Sequence, residues 1–176
     1  MKTSVIAAAA VVVGWAAAAW AAGSVTVPMT LITADGVGAA IGTVTLADSA
    51  AGLVLVPTLT GLPPGPHGFH VHTNPSCAPQ AQTDGRAAAG MAAGGHYDPH
   101  GTGKHLGPEG EGHLGDLPVL TVGADGTASQ PVTAPHLKLA DVSGRALMIH
   151  AGGDTYSDEP KPLGGGGTRI ACGTIP

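Results

Sequence analysis

Gly68-Phe69-His70-Val71-His72 is the stretch from which the rest of the chain can be read. In an extended strand, residues two apart share a face. His70 and His72 then point one way, while Phe69 and Val71 point into a core. Similar short apolar or β-rich runs recur on both sides, separated by turn residues. They are Val25 to Ile32, Ile41 to Leu46, Leu53 to Leu62, Gly68 to Thr73, Leu117 to Val122, Thr127 to Val132, Leu137 to Val142, Ala146 to His150 and Ile170 to Ile175. Pro57 suggests an edge or bulge in the third run. Ala124-Asp125-Gly126 forms a hairpin-like turn between two of them, and Ser143-Gly144 joins another pair. Eight to nine strands with little helical periodicity predict an all-β, antiparallel Greek-key sandwich or barrel of immunoglobulin-like type.

Composition agrees. The chain has 176 residues, enough for one ordinary domain. Gly (29) and Pro (15) make up a quarter of it without a G-X-Y period, which excludes collagen. A hydrophobic share of 43% argues against disorder. The formal net charge of -5 argues against a general nucleic-acid partner. Nine His against seven Lys+Arg is the anomaly that calls for a function.

Residues 1–22 read as a secretory signal peptide. Met1-Lys2 is a basic start, Val5 to Ala22 is apolar apart from Gly14, and Ala19-Trp20-Ala21 offers small residues for cleavage. A retained membrane anchor is the competing reading, but this Ala-rich segment is marginal for spanning a bilayer. The mature domain would then be 23–176, without Lys2 and without either Trp. In an exported chain Cys77 and Cys172 read as one disulfide, with two unpaired thiols as the alternative. The bond would close a loop of about 95 residues, worth roughly 4–5 kcal/mol in a chain-entropy account.

Two long stretches, 74–116 and 151–168, do not fit strands, and loops of that length are usually functional or disordered. Residues 78–95 are Ala/Gly-rich and allow a linker reading. Residues 96–116 do not, because His96, His105, His113 and Asp116 are candidate metal ligands within a Gly-rich loop. Three His and a carboxylate can fill a tetrahedral zinc shell. The paired imidazoles of His70 and His72 suit a transition metal. His150 ends the apolar strand Ala146-Leu147-Met148-Ile149, and Asp154 is placed to orient a ligand imidazole. Arg169 follows four glycines and lies close to Cys172.

Together these motifs resemble the copper/zinc superoxide dismutases, the bacterial periplasmic branch in particular, over nearly all of the mature chain. They are Gly68-Phe69-His70-Val71-His72, the His96 to Asp116 cluster ending His113-Leu114-Gly115-Asp116, His150 with Asp154, and Gly164-Gly165-Gly166-Gly167-Thr168-Arg169-Ile170-Ala171-Cys172-Gly173. The resemblance implies disproportionation of superoxide to dioxygen and hydrogen peroxide, with one copper and one zinc per subunit. It implies copper on His70, His72, His96 and His150, and zinc on His96, His105, His113 and Asp116, with His96 shared and carrying a proton. Asp154 would link the two sites by hydrogen bonds. Arg169 would line the channel above copper, and the Cys77–Cys172 disulfide would anchor the loop beside it. His67 resembles a structural histidine of the family. Asp35, Asp98, His100 and His136 match no ligand.

The chain departs from the eukaryotic pattern in the insertion 78–95, in the spacings of the zinc loop and in the short loop 154–168 with Asp158, Glu159 and Lys161. Lys161 and Lys104 are candidates for steering superoxide. A metal-buffering protein on this fold would lack the channel Arg or a copper ligand, and all are present. A zinc hydrolase would leave His70, His72 and His150 unexplained. The expected setting is the periplasm, without stable membrane association, and the chain is expected to be a monomer or homodimer. So few aromatics disfavour an aromatic-rich dimer interface.

Overall fold

A computed structural model of the chain describes residues 23–176. The expected signal segment 1–22 lies outside the described residues. Among the described residues there are eleven strands: β1 (Ser24–Thr33), β2 (Gly36–Ser49), β3 (Gly52–Leu59), β4 (Gly65–His67), β5 (Phe69–His72), β6 (Gln80–Ala81), β7 (Ala87–Ala88), β8 (Leu120–Val122), β9 (Val132–Ala134), β10 (Arg145–His150) and β11 (Arg169–Ile175). Seven form one curled sheet in the order β5-β10-β11-β1-β2-β3-β9, and β4 pairs with β8. Every pairing is antiparallel. The expected all-β Greek-key class is therefore the architecture found.

Alternation builds the core. Val27 and Met29 of β1, Leu53 and Leu55 of β3, Phe69 and Val71 of β5, and Leu147 and Ile149 of β10 are fully buried. Each side chain of this size is worth about 2 kcal/mol on leaving water. Opposite them on β5, His70 and His72 are also fully buried, because the long loop covers the face that strand alternation would leave to solvent.

Three sequence expectations are corrected. Leu137 to Val142 is not a strand: Leu139–Val142 is a single helical turn. Leu139 and Val142 are three residues apart, a helical spacing that reads as β only in a short window. Asp141 accepts the Lys138 N–H (2.8 Å) and Asp48 accepts the Leu139 N–H (2.8 Å), which caps the turn. Second, the turn at Ala124-Asp125-Gly126 forms, with Gly123 and Thr127 paired across it, but its arms do not continue as a ladder. The outgoing arm is strand only over Val132–Ala134, after Pro131, which has no N–H to give. Third, 78–95 is not a linker. It carries β6, β7 and a 3-10 turn, and Ala89 and Ala93 pack with Met148 and Cys172 in a second, smaller core. Cys77 and Cys172 are disulfide-bonded, with Cα atoms 5.7 Å apart, so this segment is tied to β11.

Candidate metal centre

β5 and β10 lie side by side, with Met148 opposite His70 and Ala146 opposite His72. At the end of β10 the register with β11 slips between Ile149 and His150, bringing His150 opposite Arg169. Such an irregularity re-aims a side chain. The loop containing His96 and Asp116 is then stitched onto β5. Val71 donates to the Gly115 carbonyl (2.8 Å), Tyr97 to the Val71 carbonyl (2.8 Å) and Gly115 to the Tyr97 carbonyl (2.8 Å). Gly115 permits this approach, since a Cβ there would run into the Val71 carbonyl and lie 2.8 Å from the Tyr97 nitrogen.

The result is a cluster of imidazoles, each anchored through one nitrogen. His72 Nδ1 contacts the Gly94 carbonyl (2.9 Å) and His150 Nδ1 the Gly167 carbonyl (3.0 Å). His70 Nε2 meets Asp154 Oδ2 (2.7 Å), and His105 Nε2 meets Asp154 Oδ1 (2.7 Å). His96 Nδ1 lies 2.8 Å from Asp116 Oδ1. The other nitrogens, His70 Nδ1, His72 Nε2, His96 Nε2, His150 Nε2 and His105 Nδ1, are buried without a hydrogen-bond partner, as are His113 Nδ1 and Asp116 Oδ2. Buried polar atoms are rarely left so.

One ligand atom from each of His70, His72, His96 and His150 fits within 4.8 Å of the others. A second such set is His70, His96, His105 and Asp116. His113 stands beside that second set, its Nδ1 3.4 Å from Asp116 Oδ1. His105 Nδ1 is only 2.9 Å from Asp116 Oδ2 yet is not aligned to bond it, as expected of two atoms facing a common third point. An all-imidazole set suits copper and a His-plus-carboxylate set suits zinc. The residues present therefore fit both metals, with His70 and His96 common to the two sets.

Electrostatics separate the two sets. Burial drives the His70 imidazole down to about 3, against the pull of Asp154. Burial likewise drives His150 to about 4 and His72 well below its ordinary range, with Arg169 adding to the effect on His72. These rings are neutral, lone-pair donors at neutral pH. His105 behaves oppositely: burial would lower it, but the carboxylates of Asp116 and Asp154 lift it to about 9. Burial would raise Asp116 and Asp154, but the imidazoles against them, His105 foremost, hold both far below the usual carboxylate range. The one raised imidazole, His105, thus stands between the two carboxylates, whereas the rings of the other set are neutral.

Arg169 is half-buried beside the imidazole set. It donates to the carbonyls of Gly90 (2.6 Å) and Gly94 (2.7 Å). Lys104 and Lys161 are exposed, and Lys161 shares a cavity wall with Asp154. Asp35, His100 and His136 stand outside both sets and are exposed. Asp98 also stands outside them, accepting the Gly103 N–H (2.8 Å) within its own loop. His67 is buried between the Pro63 and His150 carbonyls, 2.7 Å from each, which makes it a structural bolt.

Several groups that organise the site were not anticipated. The Gly94 and Gly167 carbonyls orient His72 and His150, and a backbone acceptor has no sequence signature. Asp158 accepts the backbone N–H groups of His105 (2.9 Å) and Leu163 (3.1 Å), joining the two long loops. Tyr156 gives its N–H to Asp154 Oδ1 (2.8 Å), and its hydroxyl accepts from Val119 (2.9 Å). The positive φ of Tyr156 (54°), costly for a bulky residue, marks a held conformation.

Residues 40–175 match the family described as copper/zinc superoxide dismutase. The chain is 63% identical over 155 residues to superoxide dismutase [Cu-Zn] 2 of Salmonella typhimurium, covering 88% of this chain and 89% of that one. It is 57% identical over 155 residues to superoxide dismutase [Cu-Zn] of Escherichia coli K12, with the same coverage. Among solved structures, it is similar to the Cu/Zn superoxide dismutase from Brucella abortus, with a TM-score of 0.85 and 54% identity over 88% of this chain and all of that one. It is also similar to the monomeric copper, zinc superoxide dismutase from Salmonella enterica, with a TM-score of 0.79 and 61% identity over 88% of this chain and 100% of that one.

Proposed function

The chain belongs to the copper/zinc superoxide dismutase family, and from that premise we propose how its residues divide the work. The activity is the disproportionation of superoxide to dioxygen and hydrogen peroxide, for which a bound copper would supply the one-electron redox chemistry and a neighbouring zinc a structural support. Copper would be held by His70 through Nδ1 and by His72, His96 and His150 through Nε2. Zinc would be held by His105 and His113 through Nδ1 and by Asp116, with His96 completing the set from the side on which it meets Asp116. The observation that carries this division is the set of orphaned buried nitrogens, one on each anchored ring. In each such ring the engaged nitrogen fixes which other nitrogen is free to ligate.

His96 is the shared residue. Its Nδ1 faces Asp116 and its Nε2 faces the rings of His70 and His72, whose centroids lie 4.0 and 5.0 Å away. Nε2 is where a proton is held and released to the reduced substrate, and the opposite nitrogen keeps the ring in place during that transfer. Asp154 ties the two halves together, taking His70 with one oxygen and His105 with the other.

Arg169 supplies the positive charge that receives superoxide. The overall charge is negative, so attraction must be local. Its two bonds to backbone carbonyls hold the guanidinium without neutralising it.

Residues 1–22 act as a signal peptide, 23–176 as the mature domain, and the compartment is the periplasm. The apolar run after Met1-Lys2 and the Cys77–Cys172 bond support that reading, since disulfides persist in oxidising compartments. A monomer is favoured over a homodimer. Of the described aromatics, Phe69 is buried and Arg145 lies over the Tyr97 ring at 3.5 Å, leaving little for an aromatic interface.

The test is the second-order rate of superoxide decay on the mature chain loaded with copper and zinc, compared with His72→Ala. The rate should be fast in the former and lost in the latter, with zinc retained. Undiminished activity in His72→Ala would remove it from the copper set.

A further inference from the structure

Behind the zinc-side ligands lies a cavity of about 670 Å³. Its walls include His113 and Asp116, two proposed zinc ligands, so it reaches the outer side of that half of the centre, and Arg169 is not part of its lining. Farther out it is lined by His100, Glu111, His136 and Asp141. His100 and Glu111 come from the zinc loop itself, and His136 and Asp141 from the segment around the helical turn Leu139–Val142.

The chemistry of this wall is one-sided. It carries three carboxylates, those of Glu111, Asp116 and Asp141, and three imidazoles, those of His100, His113 and His136. Among the described residues that line it there is no lysine or arginine. Of the two lysines nearest in sequence, Lys104 is exposed outside the lining and Lys138 directs its Nζ to the Ser49 carbonyl (3.3 Å). A recess lined by one sign of charge concentrates ions of the other, so this mouth repels an anion such as superoxide and draws a cation.

Its size suits a cation still carrying water. Six water molecules occupy about 180 Å³ at roughly 30 Å³ each, well within the space available. His100 and His136 are exposed, as groups that meet an incoming ion must be. At the inner wall His113 and Asp116 turn Nδ1 and Oδ2 away from the recess into the buried centre, where both lack hydrogen-bond partners, so these two residues separate the cavity from the zinc side. His100 and His136 do not belong to either tight ligand set, so they could hold an ion only loosely and release it inward.

We propose that this cavity is the route by which zinc reaches its site, with His100 and His136 as a transient capture pair for a hydrated divalent cation. The centre then has two mouths of opposite sign, one at Arg169 for the anionic substrate and one here for the metal. The proposal rests on assigning His105, His113 and Asp116 to zinc. That assignment is tested separately by the zinc content of Asp116→Ala, whereas the variants below leave all three ligands intact.

The experiment uses the full mature protein loaded with copper and zinc. Added Zn²⁺ should shift the imidazole nitrogen resonances of His100 and His136 together, saturating at one further equivalent. Resident zinc is then exchanged against isotopically labelled Zn²⁺. In the double variant His100→Gln/His136→Gln the shift should vanish and exchange should slow severalfold, with unchanged zinc content at saturation. Glu111→Gln should slow exchange in the same direction without removing a histidine. Absence of imidazole shifts in the parent protein would overturn the capture site. Shifts accompanied by an unchanged exchange rate in the double variant would overturn its role in transit.

Discussion

His72 and Arg169 donate to the same acceptor, the Gly94 carbonyl, at 2.9 and 2.7 Å. One backbone oxygen therefore orients a proposed copper ligand and the charge that receives substrate. Gly94 lies two residues before His96, in the segment that Cys77 ties to β11, and His96 itself forms an antiparallel bridge with His72.

Arg169→Ala should lower the second-order rate about tenfold or more at low salt, because local steering of this kind is electrostatic. Copper content should hold, since His72 keeps its bond to Gly94. The salt dependence of the rate in parent and variant is the measurement, and the variant should show a flatter slope.

Asp154→Ala removes the acceptor of both His70 Nε2 and His105 Nε2. Loss of such an orienting partner typically costs about 10–100-fold in metal affinity. Both metals should therefore be released faster to a chelator. Release of one metal alone would show that Asp154 serves one site.

Asp116→Ala should deplete zinc far more than copper, because the carboxylate faces His96, His105 and His113 but no other copper-side ring. Metal analysis after dialysis reads this directly. The expected outcome is near-complete zinc loss with most copper kept.

Cys77→Ser should cost about 2–5 kcal/mol, lowering Tm by roughly 5–15 °C. It should also loosen the 78–95 segment, whose Gly90 and Gly94 carbonyls hold Arg169. Calorimetry at fixed metal content, with the rate measured on the same sample, checks both.

The metal-free protein should be most stable near neutral pH. His70 and His150 have folded values of about 3 and about 4, below the ordinary 6.5. As pH falls below 6.5 the unfolded chain binds protons that the folded one refuses, so stability drops. His105, lifted to about 9, contributes stability that is present below 6.5 and lost as pH rises through about 9. Tm measured from pH 4 to 10 should pass through a maximum between these limits.

Much of this was legible in the chain itself. Alternation in Phe69 to His72 placed two histidines on one face, and the apolar run ending at His150 placed a third beside them. Glycine density around His96, His105 and His113 pointed to a loop able to fold tightly. What escaped was whatever depends on backbone atoms or on distant pairing. The Gly94 and Gly167 carbonyls leave no mark on residue identity. The helical turn at Leu139 to Val142 is too short for its period to be told from that of a strand. Packing of Ala89 and Ala93 under Cys172 follows from a disulfide that closes the chain over 95 residues, beyond the reach of local pattern.

His70 belongs by distance to both ligand sets, whereas His113 falls outside the tighter one. The division of ligands between two metals therefore turns on these two residues. Anomalous diffraction from crystals of the loaded protein, collected at the copper and zinc edges, tests it most directly. A copper peak bounded by His70, His72, His96 and His150 is expected, together with a zinc peak bounded by His96, His105, His113 and Asp116. A zinc peak ligated by His70 in place of His113 would contradict that division.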